Sequence, residues 1–301
     1  MKGFGMGIVG ILGLGAMGGS MADRLADLGF ETIVHDLSAA AVQRAVDHGG
    51  RAGDLPGDAE IVISSLPSDP AVLSVLTSPA FSKADGRGRT LVEMSTILPS
   101  TMEKVRDVLA PRGWSLIDAP VSGGPADARN GTLTLMVGAE DAALRSAEPV
   151  LGKLGAIERV GAVGQGKAIK LVNNVMSIGN VVLAAEAFVL GEKLGIEPRR
   201  LYDVLSRSGG RSRNFNQRIP RVIERDFASR FSVALSEKDL RLALSVAHET
   251  RYVMPLTAVI HQMCEMAIAD GLEGEDIVAV AKIYERWARL DFSDPTARPT
   301  V

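Results

Sequence analysis

Apolar residues in the first half of the chain come in short runs, each closed by small or polar residues. The runs are 8–12 (IVGIL), 31–35 (ETIVH), 61–65 (IVISS), 90–94 (TLVEM), 114–117 (WSLI) and 132–137 (TLTLMV). Their length and β-branched content predict buried strands. Between them the apolar positions recur at helical spacing, as in the segment ending near Leu28 and in 141–154. Strand and helix alternate, which is the signature of an α/β domain with a parallel sheet.

The second half lacks this alternation. Helical periodicity covers 164–195, 198–206, 236–250, 255–270 and 276–290, and the pattern predicts no strand. The chain therefore divides into an α/β domain of the Rossmann type, 1–163, and an all-α domain, 164–301, which opens with the helix 164–195. At about 1.5 Å per residue that helix reaches roughly 45 Å, longer than a small domain is wide, so it is expected to run between domains. Lys170 and Asn174 lie four residues apart near its start, on one face. Much of the rest is apolar, with Asn180 and Glu186 among the exceptions. The last residues, 294–301, read as a frayed tail.

Composition narrows the function. A net charge of −3 gives no attraction for nucleic acid or an anionic membrane, so neither is expected as a partner. The apolar stretch 171–191 carries three asparagines and a glutamate, each costly in lipid, and reads as buried in protein. A single cysteine, Cys264, excludes an intrachain disulfide and suits a reducing cytoplasm. None of the four histidines has metal-ligand spacing, so no metal is expected.

The first strand runs into Gly13-Leu14-Gly15-Ala16-Met17-Gly18, then a helix, then a second strand ending at Asp36, 23 residues after Gly13. This is the dinucleotide fingerprint in its required βαβ context. One glycine permits the tight turn, one lets the backbone approach a pyrophosphate, and one packs helix against strand. Asp36 suits the ribose hydroxyls and repels a 2′-phosphate, and no arginine adjoins it, so NAD is preferred over NADP. Leu66, Pro67, Ser95 and Thr96 follow later strands, where an open parallel sheet binds its ligand. Asp69 is placed to cap the helix after Pro67.

The segment Asp118-Ala-Pro-Val-Ser122-Gly123-Gly124 admits two readings. Consecutive glycine N–H groups beside a hydroxyl make a nest for a carboxylate. Equally, a tight turn needs glycines for positive φ.

Four segments carry a family resemblance: GILGLGAMGGSMADRL at 10–25, DAPVSGGPADARNGTLTLMVGA at 118–139, GAVGQGKAIKLVNN at 161–174 and EKDLRLAL at 237–244. In this order they resemble the β-hydroxyacid dehydrogenases, the family of 3-hydroxyisobutyrate dehydrogenase and tartronate semialdehyde reductase, related to 6-phosphogluconate dehydrogenase. The resemblance implies that Lys170 is the catalytic lysine and that Asn174 holds substrate beside it. It makes Ser122, Gly123 and Gly124 the substrate-carboxylate loop, and it places Lys238, Thr96, Leu66 and Pro67 near the cofactor. Arg211 and Phe231 are similar to residues close to the family's site. By their own setting, Phe231 reads as a core aromatic and most of the seven arginines between 207 and 230 as a solvated or subunit-facing surface.

Such an enzyme interconverts a small anionic hydroxy acid and its semialdehyde or ketone, with Lys170 moving the hydroxyl proton. 3-Hydroxyisobutyrate, tartronate or succinic semialdehyde, threonate and serine are all candidate substrates. A homodimer or homotetramer is expected. A non-catalytic redox sensor, or an imine reductase on the same scaffold, would have no use for Lys170 with Asn174.

Overall fold

The computed structural model describes residues 7–290, so the proposed tail at 294–301 lies outside the described residues. The chain divides into two compact units, Met1–Lys170 and Leu171–Val301, and the division falls within the long helix.

The first unit is a nine-stranded sheet with helices on it. Its strands are β1 (Val9–Leu12), β2 (Thr32–His35), β3 (Arg51–Ala52), β4 (Ile61–Ser64), β5 (Thr90–Glu93), β6 (Ser115–Asp118), β7 (Val121–Ser122), β8 (Leu133–Ala139) and β9 (Gly155–Gly161). The helices are α1 (Ala16–Asp27), α2 (Ala39–Asp47), α3 (Asp69–Leu76), α4 (Pro79–Ser82), α5 (Pro99–Leu109), α6 (Pro125–Asn130) and α7 (Asp141–Leu154). Six strands run parallel in the order β3-β2-β1-β4-β5-β6. β8 then pairs antiparallel with β6 and β7, and parallel with β9.

Side chains alternate between the faces of this sheet. Val9, Ile11, Val34, Ile63, Val92 and Ile117 enter one core; Leu12, Ile33, Val62, Leu91 and Leu116 enter the other. Both faces are covered, so these strands read as continuous apolar runs rather than alternating ones. Each enclosed Val, Ile or Leu contributes about 1.5–3 kcal/mol over exposure. The strand order reverses between β1 and β4, which sets the crevice at their carboxyl ends.

Helix α8 (Gln165–Lys193) starts at the end of the first unit and continues through the second. The second unit adds α9 (Pro198–Leu205), α10 (Arg213–Ile223), α11 (Val233–Glu249), α12 (Pro255–Ala269) and α13 (Ala281–Ala288). Ile178, Val181, Val182, Ala185 and Phe188 of α8 enter a core shared with Phe215 and Ile219 of α10, Leu240 of α11 and Cys264 of α12. A side chain at Gly191 would meet Leu201 at 2.4 Å, so glycine lets α9 approach α8. Among the described residues this unit holds no strand, only an isolated bridge between Ser232 and Asp276.

Candidate active site

The glycine-rich turn between β1 and α1 separates what the protein needs from what a ligand needs. A Cβ on Gly13, at φ +88°, would lie 2.3 Å from Ser65 O, and one on Gly18 would lie 1.9 Å from Gly13 O. Both glycines are demanded by the protein's own backbone. A Cβ on Gly15 would meet nothing within 4 Å. The space over Gly15 is open, at a helix start with no side-chain cap and no acidic residue in the first turn. Free N–H groups and the positive helix end there suit a pyrophosphate, so the residues present fit a dinucleotide. Asp36 stands at the same turn, its carboxylate accepting the N–H of Leu14 at 2.6 Å and of Ser38 at 2.7 Å. Leu37 beside it is 99% exposed.

At the ends of β4 and β5, Ser95 is buried and its hydroxyl accepts the N–H of Leu66 at 2.7 Å. This links the two strand ends that the sequence assigns to the cofactor groove; Thr96 and Leu66 are half-buried and Pro67 is exposed. Asp69 does not cap α3. Ser68 does, through Ala71 N–H, while Asp69 accepts Leu98 N–H at 2.8 Å and the Thr101 hydroxyl at 2.6 Å. The shorter serine side chain turns back on its own helix, and the aspartate reaches across to α5.

A cluster unmarked in the sequence reading lies under this edge. Lys167 and Glu93 are both fully enclosed and form an ion pair. Lys167 Nζ also donates to Glu93 O and Ser95 O, each at 2.8 Å. Asp118, at the end of β6, accepts Gly164 N–H at 2.9 Å and Lys167 N–H at 2.7 Å, holding the start of α8. Burial pushes the Asp118 carboxyl up from its ordinary value, against the pull of the Lys167 charge and these N–H groups. The available signal was Glu93, an acid inside the apolar run TLVEM. Lys170 follows Lys167 by one turn and is half-buried.

The loop after β7 uses its glycines within its own turn. Gly123 adopts φ +127°, which a side chain resists. Gly124 N–H already holds a carboxylate, that of Asp127, at 2.7 Å. Ser122 is half-buried and pairs with Thr134.

In the second unit, Asn174 is buried on α8, and its amide donates to Asp239 Oδ2 at 2.5 Å. Lys238 pairs with the other Asp239 oxygen at 3.0 Å. Asp239 thus joins two residues singled out from the sequence. The arginine-rich segment is more ordered than its composition suggests, and part of it is helix α10. Arg218 and Arg221 pair with the enclosed Asp276, and Arg225 pairs with Glu285. Burial resists charge on Asp276, but Arg218 and the surrounding N–H groups hold its carboxyl below the ordinary value. Arg211 and Arg213 remain exposed. Phe231 is half-buried against the helical core, as its own setting indicated.

Cys264 is enclosed, and burial pushes its thiol up to about 12, which disqualifies it as a nucleophile. Glu237, His261 and Glu265 bring donor atoms within 4.8 Å of one another. His261 Nε2 and Arg241 Nε both bond Glu237 Oε1, and the histidine contact braces α12 to α11.

Two family models match the chain: the NAD-binding domain of 6-phosphogluconate dehydrogenase over residues 8–173, and the NAD-binding of NADP-dependent 3-hydroxyisobutyrate dehydrogenase over residues 164–284. The chain is 37% identical to 2-(hydroxymethyl)glutarate dehydrogenase of Eubacterium barkeri, over 95% of this chain and 97% of the relative. It is 34% identical to L-threonate dehydrogenase of Cupriavidus necator, over 92% and 95%. Among solved structures, the Mycobacterium tuberculosis 3-hydroxyisobutyrate dehydrogenase with L-serine superposes with TM-score 0.82 at 31% identity, covering 92% of this chain and 99% of that one.

Proposed function

The chain belongs to the β-hydroxyacid dehydrogenase family, and on that premise we propose that it interconverts a small 3-hydroxycarboxylate and its semialdehyde or ketone, with Lys170 as general acid/base. It is a dehydrogenase of hydroxy acids that uses a nicotinamide dinucleotide. When bound, that cofactor accepts or returns the hydride. Lys170 takes the hydroxyl proton in oxidation and returns it to the carbonyl oxygen in reduction. As an ammonium it also stabilises negative charge on that oxygen.

Asn174 lies one helical turn beyond Lys170. Its amide is fixed by Asp239, so a substrate hydroxyl meets an oriented partner rather than a rotating one. The loop of Ser122, Gly123 and Gly124 takes the substrate carboxylate through the Ser122 hydroxyl and Gly123 N–H, since Gly124 N–H is held by Asp127, and Arg211 supplies further positive charge to an anion. Lys238 and Phe231 keep the places given to them by resemblance. NAD is the preferred dinucleotide, because the Asp36 carboxylate stands at the glycine turn and Leu37 and Ser38, rather than an arginine, follow it in the sequence. The single observation that carries the dinucleotide reading is Gly15, whose missing side chain leaves room for a ligand and for nothing in the protein.

The enzyme is further proposed to be cytoplasmic and homo-oligomeric, with neither nucleic acid nor membrane as partner. The length and apolarity of α8 alone would allow a membrane span. Support for a second copy instead comes from its exposed Val172, Met176, Leu183 and Leu190, spaced along one helical face.

The test is a screen of NAD and NADP reduction across small hydroxy acids, repeated with Lys170→Ala. The variant is expected to lose at least about a hundredfold in kcat while dinucleotide binding survives. Near-parental turnover by Lys170→Ala would remove the assignment.

A further inference from the structure

Two lysines occupy consecutive turns at the start of α8, about 4.5 Å apart along its axis. Lys167 is wholly enclosed, and so is its partner Glu93. An apolar pair of similar volume is often as stable as a buried ion pair, or more so, because desolvation offsets the Coulomb gain. Stability alone therefore does not account for charges here. What the charges add is fixed geometry. The ammonium is held from three directions: it donates to Glu93 O and Ser95 O and forms its ion pair with the Glu93 carboxylate. The Glu93 carboxylate in turn accepts the Ser64 hydroxyl at 3.2 Å and Ser95 N–H at 3.0 Å, and the Ser95 hydroxyl accepts Leu66 N–H.

We infer that Lys167 is a positioning residue: with Glu93 it fixes the first turn of α8, and with it Lys170, against the ends of β4 and β5 that carry Leu66 and Ser95. The Lys167 side chain ties the helix to β5, and Asp118 ties the same turn to β6 through two N–H groups. Lys170 thus leaves a helix start clamped to the strand ends assigned to the cofactor. Displacing a reacting group by about 1 Å costs on the order of a hundredfold in rate, so such a clamp acts on turnover more than on binding. The inference rests on Lys170 being the acid/base.

The experiment compares three variants of the full-length enzyme, with NAD and the best substrate from the screen: Lys170→Ala, the apolar exchange of Lys167→Met with Glu93→Met, and the milder Glu93→Gln. Circular dichroism and Tm report folding, and steady-state kinetics report function. Both pair variants are expected to fold and to lose at least about tenfold in kcat, with KM for the hydroxy acid moving less than about threefold. Parental kcat in a folded pair variant overturns the inference. If the apolar exchange fails to fold, Glu93→Gln decides by the same criterion. An unfolded Glu93→Gln protein also overturns it, since the pair would then be needed for the fold itself. Parental turnover by Lys170→Ala means that the acid/base reading has failed. Loss there with parental pair variants means that only the positioning role has failed.

Discussion

Lys167 with Glu93 in the first unit and Arg221 with Asp276 in the second are both enclosed ion pairs, yet they brace different kinds of structure. The lysine clamps a helix start to strand ends, beside a turn with open space over it. The arginine holds α10 to the turn at 276–280, while Arg230 and Phe231 close the loop on the same carboxylate by their N–H groups. One cluster borders backbone prepared for a ligand; the other is consumed by its own fold. A buried charge is therefore not a functional marker until its neighbours are counted.

The largest effect that sharpens this contrast is on stability. Asp276→Asn removes the enclosed carboxylate shared by Arg218 and Arg221, leaves Arg221 only the more exposed Asp226, and is expected to cost up to about 3–5 kcal/mol in denaturant unfolding. Dinucleotide affinity of the folded variant should stay parental; a large loss of affinity would blur the two roles. Gly15→Ala should do the reverse. A Cβ there meets no protein atom, so Tm should hold, while dinucleotide affinity falls by about ten- to a hundredfold, measured by fluorescence titration. A collapse of Tm would show that the protein itself needs Gly15.

A smaller effect concerns acid. Asp276 titrates below its unfolded value, so its contribution is full above about pH 4 and is lost as pH falls through the folded value. The parent's Tm should fall more steeply on acidification than that of Asp276→Asn, and equal slopes would refute this. The smallest effect is at the surface. Arg211→Ala should change stability by no more than about 0.5 kcal/mol and raise KM for the hydroxy acid more than it lowers kcat; an unchanged KM would remove Arg211 from the site.

The sequence was legible where apolar runs met punctuation. β1, the glycine turn and Asp36 could be placed because one short segment carries strand, turn and acid together, and α7 because its apolar spacing is uninterrupted. β9 escaped because Gly155–Gly161 has no fully buried residue and offers one isoleucine and one valine. α10 escaped because Pro220 and three arginines dilute an apolar stripe of Phe215, Ile219, Val222 and Ile223. In the site, single residues were readable from motif and spacing. Asp239 and the pair Lys167–Glu93 were not, since each gains meaning only from a partner on another element, 65 and 74 residues away.

Asp36 has a consequence for redesign. Its two oxygens accept the N–H groups of Leu14 and Ser38, so it also finishes the turn that it borders. Leu14 is enclosed, and an acceptor removed from its N–H is not replaced by water. Replacing Asp36 with alanine to admit a phosphorylated ribose would cost about 1–3 kcal/mol at that turn before any cofactor arrived. Engineering a switch of cofactor thus calls for an incoming residue that tolerates the phosphate and still accepts two backbone hydrogens.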